Sequence, residues 1–261
     1  MNSESGTEIK ANPGATGFIR GVHIVCAREL GAMFDSSIAY IYFIAFSLLS
    51  VGIFMNDFFI RAVIDMSPYF DLLPLLLAVF IPALTMKIWA EEKRILTFEL
   101  LITLPLKTSQ LSLGKFAALY FFYLLTLCSS LPVVAMLYVL GSPDTGLLIS
   151  GYVAAALIGA MFISIGIFTS GLTDNQIVAF VISAFFCFIF VVTGSHSTAG
   201  IIDGLVPALQ AGSFLYDYFS AIPHYCALAG GVLAVSDIFY FAAMAVLFLW
   251  FNVLNISGSR V

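Results

Sequence analysis

SSIAYIYFIAFSLLSVGIFMN, residues 36 to 56, runs for 21 residues without a charged side chain. A helix needs about 20 mostly apolar residues to cross a hydrocarbon core, and within lipid every backbone polar group must be satisfied inside the segment. As an α-helix this stretch meets both conditions. Comparable runs cover about 72–90, 113–140, 146–171, 176–194 and 238–256, so an all-α membrane protein with six spans is expected. Pro74 and Pro82 are expected to kink the second span. Pro132 interrupts the third, which is long enough to tilt or to project beyond the bilayer.

The rest of the chain agrees with this reading. Its composition is 61% hydrophobic and 10% charged, whereas a soluble domain carries roughly a quarter charged residues. Mean hydropathy is +1.07, and 26 Phe spread along the length argue against a soluble core with one membrane anchor. Net charge is -5 and ten Lys and Arg residues form no extended patch, which speaks against nucleic acid as a partner. Cys26, Cys128, Cys187 and Cys226 show no CxxC spacing, so neither a disulfide framework nor a zinc site is expected. Residues 1–17 are polar and lack the pattern of a signal peptide; they read as a disordered cytoplasmic tail ahead of a single transmembrane domain over 18–261.

Between the fifth and sixth spans, about 40 residues carry short apolar runs at 204–210, 214–222 and 225–235. They are broken by Pro207, Gly212, Pro223 and Gly230-Gly231. Such pieces suit re-entrant or interfacial outer helices, with one additional span as the alternative. Orientation follows from the flanking cations. With six spans and the amino terminus inside, Lys10, Arg20, Arg28, Lys87, Lys93, Arg94, Lys107, Lys115 and Arg260 are cytoplasmic and Arg61 is outside. Both termini are therefore expected in the cytoplasm.

Two segments outside the spans carry further pattern. Over 18–34, Ile19, Val22, Cys26, Leu30 and Met33 fall at helical spacing, with Arg20, His23, Ala27 and Arg28 turned elsewhere. This predicts an amphipathic helix in the headgroup region, its arginines on lipid phosphates. It serves either as an anchor alone or also as a contact for a cytoplasmic partner. Over 90–113 the chain opens with Glu91-Glu92-Lys93-Arg94; Ile95, Phe98 and Ile102 form one apolar line and Leu96, Leu100 and Leu104 another. A helix here can pack on the bundle and still present its acidic start to the cytoplasm, where Glu91 and Glu92 suit the positive end of the helix dipole. Pro105 ends it, and Thr108 or Ser109 can cap the next helix. Without further context the segment reads as a charged loop that enforces topology.

Weaker features add little. His196, Asp203, Asp217 and His224 share the outer region at loose spacing, and no metal is expected there. Asp174-Asn175-Gln176 reads as a tight cytoplasmic turn, and Lys87 can snorkel to headgroups. The expected spans are nearly bare of ionisable groups, which disfavours a proton-coupled carrier, and no histidine falls in a span to act as the base of an intramembrane hydrolase.

Three strings resemble a known family. WAEEKRILTFELLITLPLKTSQLSLGKF (89–116) before a long apolar helix, CARELGAMFDSSIAYIY (26–42) and SGLTDNQIVAF (170–180) are similar to the ABC-2 class of transporter permeases, in particular its gliding-motility-type branch. The resemblance implies a permease subunit of a bacterial cytoplasmic (inner) membrane transporter, with export the expected direction. It implies a connecting helix bearing Arg20 and Arg28. It also implies a coupling helix over 91–104, with Glu91, Glu92 and Arg94 as its ionic part and Phe98 and Leu100 as its apolar part, docking into an ATPase. Two permease subunits, as a homo- or heterodimer, and two ABC ATPase subunits would form the working unit, and an auxiliary membrane subunit with a large outer domain can accompany them. Short outer helices would lie near the exit of the path. This chain is not expected to be an enzyme or to bind a cofactor: Gly114-Lys115 is followed by Phe116 and does not complete a phosphate loop, so ATP and Mg belong to the partner. Alternatives are a mechanotransmitting membrane scaffold driven by the same kind of ATPase, and a non-ABC channel or carrier.

Overall fold

The computed structural model describes residues 15–98, 106–205 and 211–258. Among them the chain is helical throughout. The elements are α1 (Ala15–Phe34), α2 (Ser37–Arg61), α3 (Ser67–Thr85), α4 (Lys87–Arg94), α5 (Thr108–Leu127), α6 (Leu131–Leu140), α7 (Thr145–Gly171), α8 (Gln176–Val192), α9 (His196–Leu205), α10 (Ala211–Phe214), α11 (Ala221–Ala229) and α12 (Val235–Gly258). Five stretches are long and apolar enough to cross a membrane: Ser37–Arg61, Ser67–Arg94, Thr108–Leu140, Thr145–Gly171 and Val235–Gly258. The sixth expected span, α8, is apolar but 17 residues long, about 25 Å at the helical rise. It runs antiparallel to α7 along the bundle, from a cleft beside Arg94 to the ring of Phe219, where Phe190 stacks at 4.4 Å.

Helix α7 is the hub. In its apolar stretch 67% is buried, against 28% in α2 and α12, because neighbours fill the notches its glycines leave. A Cβ at Gly151 would lie 2.4 Å from Phe70, at Gly159 2.1 Å from Tyr123, and at Gly166 2.0 Å from Thr85. Small residues allow this closeness where lipid, as apolar as the side chains, offers no hydrophobic drive for helices to associate. Tyr123 then donates its hydroxyl to the Ala155 carbonyl at 2.7 Å, a polar tie inside a dry interface.

Several breaks fall where local chemistry places them. Pro132 lies in the first turn of α6, after a 3-10 turn over Cys128–Ser130. Pro74 and Pro82 sit inside α3, which continues through both. The interruption comes later, at Met86, where the Ser170 hydroxyl enters the helical ladder: it donates to the Met86 carbonyl (3.0 Å) and accepts from the N–H groups of Trp89 (3.1 Å) and Ala90 (3.2 Å). A side chain inserted there interrupts the run of backbone bonds between α3 and α4. The cap of α5 is also displaced from Thr108 or Ser109 to Lys107, whose N–H donates to Gln110 Oε1 at 2.8 Å.

Between α8 and α12 the described helices have at most ten residues, short of a further crossing. Tyr225 donates to the Phe70 carbonyl at 2.7 Å and Tyr240 to that of Phe219 at 2.6 Å, pinning these pieces across the end of the bundle opposite α1.

Gly159→Ala should lower stability by about 1–3 kcal/mol, since Tyr123 is fully buried and has no room to yield. Gly52→Ala, where nothing lies within 4 Å, should raise it by about 0.5–1 kcal/mol through helix propensity alone. Unfolding in detergent, followed by circular dichroism, reads both; the same sign for the two would contradict this packing.

Candidate functional site

Lys115 stands two turns inside α5, flanked by Gly114 and Phe116, and its side chain is 0% exposed. A buried ammonium survives only if its three N–H groups find acceptors and its charge finds a partner. Here it donates to Glu92 Oε1 at 2.7 Å, to Glu29 Oε1 at 3.2 Å and to the Ile88 carbonyl at 3.0 Å, and it sits 4.5 Å from the centre of the Trp89 ring. Arg28 closes the set, with Nη2 2.6 Å from Glu29 Oε1 and 3.6 Å from Glu92 Oε1. Two cations and two carboxylates thus balance, and helices α1, α4 and α5 meet at one atom. Burial alone would raise the Glu29 carboxyl; Lys115 and Arg28 beside it outweigh burial and hold it below the usual carboxylate range.

Close backbone approach makes the contact possible. A Cβ at Gly114 would meet Val25 at 2.6 Å, and one at Gly21 would meet Gln110 Nε2 at 2.6 Å, so α1 lies directly on α5. Gln110 also donates to the Phe18 carbonyl at 3.2 Å. The helix expected over 18–34 is present, but its packed face holds Gly21, Val25 and Glu29, and Ile19 is 68% exposed. The difference follows from Lys115, which draws a charged residue to the inner side.

The segment after α4 departs further from expectation. Instead of one helix over 91–104, α4 ends at Arg94, and Ile95 and Leu96 form a turn in which Leu96 has φ +60°. Glu91 and Glu92 are therefore in the second turn of α4, away from its positive end, and Lys93 and Arg94 lie in its last turn, where cations meet the negative end of the dipole. Glu92 points inward to Lys115 rather than outward. Phe98 is buried edge-on against Trp89, with ring centres 5.9 Å apart and Lys93 over its face at 5.4 Å. Arg94 is exposed at the tip, as is Arg20 on α1; Glu91 lines a cavity; Leu100 lies outside the described residues. Apolar exposure at the tip comes from Ile95 and from Leu96, the latter 72% exposed.

The root of this segment is tied to more than Lys115. Lys93 donates to the Gly171 carbonyl, which also accepts from Asn255 at 2.8 Å, and Asn252 donates to Ser112 Oγ at 2.9 Å. Helices α4, α5, α7 and α12 are joined in this way. Beside the tip, a cleft of about 710 Å³ separates Arg94 and Leu96 from the turn 173–177, where Asn175 caps α8 and Ile177 is 72% exposed. A second cavity, of about 670 Å³, opens between α1 with the start of α2 and α3 with α4.

At the other end His224 Nδ1 pairs with Asp237 Oδ1 at 2.8 Å and stacks on Tyr240 with centroids 4.3 Å apart. Asp203 accepts from the Gly212 N–H at 2.6 Å, and the side chains of His196 and Asp217 lie outside those described. Among the described residues no three His, Cys, Asp or Glu side chains converge as metal ligands.

Sequence reasoning placed Lys115 with the flanking cations and did not single out Glu29, Trp89 or Ser170. The signal for Lys115 was present: a lone ammonium inside LSLGKFAAL is an ionisable group within an apolar helix, which ordinarily has a named partner. No protein-family model matches the chain, and no curated protein does.

Lys115→Met leaves two facing carboxylates without their shared cation and should destabilise the protein by about 3–5 kcal/mol. Adding Glu29→Gln and Glu92→Gln should restore much of that loss. Thermal unfolding of the parent, Lys115→Met and the triple variant in one detergent checks this, and a Lys115→Met protein as stable as the parent would contradict it.

Proposed function

We propose that this chain is the membrane-embedded permease subunit of an ATP-driven transporter, and that the end of its bundle holding Lys115 is the cytoplasmic docking end for a separate ATPase. The observation that carries the reading is the build of the 87–98 segment. Its root is locked into α1, α5, α7 and α12 by Lys115, Ser170 and Gly171, while its tip offers Arg94, Ile95 and Leu96 to solvent. A push on such a tip reaches several long helices at once, which is what rigid-body coupling requires. The strings at 26–42, 89–116 and 170–180, which resemble ABC-2 permeases, meet at this same end.

Charge supports the orientation. Arg20, Arg28, Lys87, Lys93, Arg94, Lys107 and Lys115 all belong to the α1 end, and Arg61 alone among the described Lys and Arg lies at the other, with Asp57, Asp65, Asp71 and Asp144. In this reading the α1 end, rich in cations, faces the cytoplasm as the positive-inside rule favours, the membrane is a bacterial inner membrane, and α8 is the sixth pass. A second permease copy or relative completes the path, and ATP and Mg are held by the partner.

The docking surface in this reading is the tip rather than Glu92 or Phe98, which are occupied within the bundle. Arg94→Glu with Leu96→Asp should leave the protein folded and monodisperse, since both side chains are exposed, yet abolish co-purification of an ATPase from native membranes. Identification of the captured chains by mass spectrometry decides it. Capture of the same nucleotide-hydrolysing partner by parent and variant alike would remove the tip from the mechanism; a parent that captures no such partner would contradict the reading as a whole.

A further inference from the structure

The cavity of about 670 Å³ beside the Lys115 cluster has a chemistry of its own. Its size falls within the usual range for a small-molecule site. It lies where the apolar span α2 begins and α3 ends, the level at which a bilayer passes from acyl chains to headgroups. The floor is apolar, from Met33, Ala39 and Leu84, and the rim carries Arg28, Lys87 and Glu91.

Two of those rim groups are uncommitted. Lys87 and Glu91 are one turn apart on the same face of α4, a spacing that commonly pairs, although with lysine first the order is the less favourable one. Neither makes an ion pair among the described residues, and both line the cavity. Arg28, Glu29 and Glu92, by contrast, are already engaged around Lys115. Among the described residues the opening therefore offers a cation and a carboxylate without an ion-pair partner above an apolar floor.

We infer that this cavity binds one phospholipid whose headgroup carries both a phosphate and a primary ammonium. Lys87 donates to the phosphate oxygens, Glu91 accepts from the ammonium, and the floor takes the first methylenes of an acyl chain. Charge selects among lipids. A headgroup with a phosphate but no ammonium leaves Glu91 unmatched and brings net negative charge beside it. A quaternary choline brings the positive charge without an N–H for Glu91 to accept. A free phosphate compound lacks the apolar part that the floor receives. The site depends on membrane embedding but not on the ATPase reading.

The test uses the full chain purified in detergent, stripped of lipid, and presented with equal amounts of dioleoyl phosphatidylethanolamine, phosphatidylcholine and phosphatidylglycerol, with bound lipid counted by native mass spectrometry. One phosphatidylethanolamine should be retained in preference to the other two by on the order of tenfold, and soluble glycerophosphoethanolamine should not displace it. Lys87→Gln and Glu91→Gln should each lower that retention by on the order of tenfold, and Ala39→Trp, which fills the floor, should abolish it. The two rim variants decide the matter if Ala39→Trp does not fold. Equal retention of the three lipids, preference for phosphatidylglycerol, displacement by the soluble headgroup, or retention unchanged in both rim variants would overturn the proposal.

Discussion

An ammonium with no access to water constrains everything around it. Removing Lys115 from solvent costs several kcal/mol unless each N–H and the charge itself are met, and the three acceptors come from two other helices. Glu29 fixes where α1 lies, Glu92 and the Ile88 carbonyl fix where α4 lies, and α5 carries the lysine between them. The glycines at 21 and 114 follow from this need for closeness, because a larger residue at either would hold α1 off α5. The break in the ladder at Met86 lies beside the same cluster, and the Ser170 hydroxyl satisfies the backbone groups left open there.

The two ends of the bundle are built from different materials. At the α1 end, charge and backbone carbonyls join five helices into one block, with a cleft and a cavity opening from it. At the far end, tyrosine hydroxyls on carbonyls and stacked rings hold short helices over the long ones, and the described ion pairs there, His224 with Asp237 and Arg61 with Asp57, each join only two side chains. Between them α7 makes its contacts through glycine notches.

Much of this architecture was legible in the sequence, because hydropathy and length alone locate the long helices. Residues 36–56, 146–171 and 238–256 read as spans and appear as long apolar helices, and Pro132 marked its break. The helix before the first span was visible in the spacing of its apolar residues, but which face it buries was not. That depends on Lys115, about 86 positions away from Glu29 in sequence, and no local period encodes a partner at such distance. Glu91 and Glu92 looked equivalent side by side, yet consecutive helical residues point about 100° apart, so Glu92 reaches Lys115 and Glu91 does not. The break at Ile95 was hidden for a related reason: Leu96 sits in left-handed backbone that its type disfavours, so propensity argued for a continuing helix. Ser170 gave no signal, since a serine at the end of an apolar run is common and its role arises only when α4 packs beside it.

For an ATPase to grip the tip at Leu96, the Lys115 end must face the cytoplasm. An impermeant maleimide applied to Leu96→Cys in a cysteine-free background reads this directly, with Ala62→Cys as the marker of the opposite end. Leu96→Cys should be labelled in inverted membrane vesicles and protected in right-side-out ones, with Ala62→Cys showing the reverse. Labelling of Leu96→Cys from outside right-side-out vesicles would contradict it.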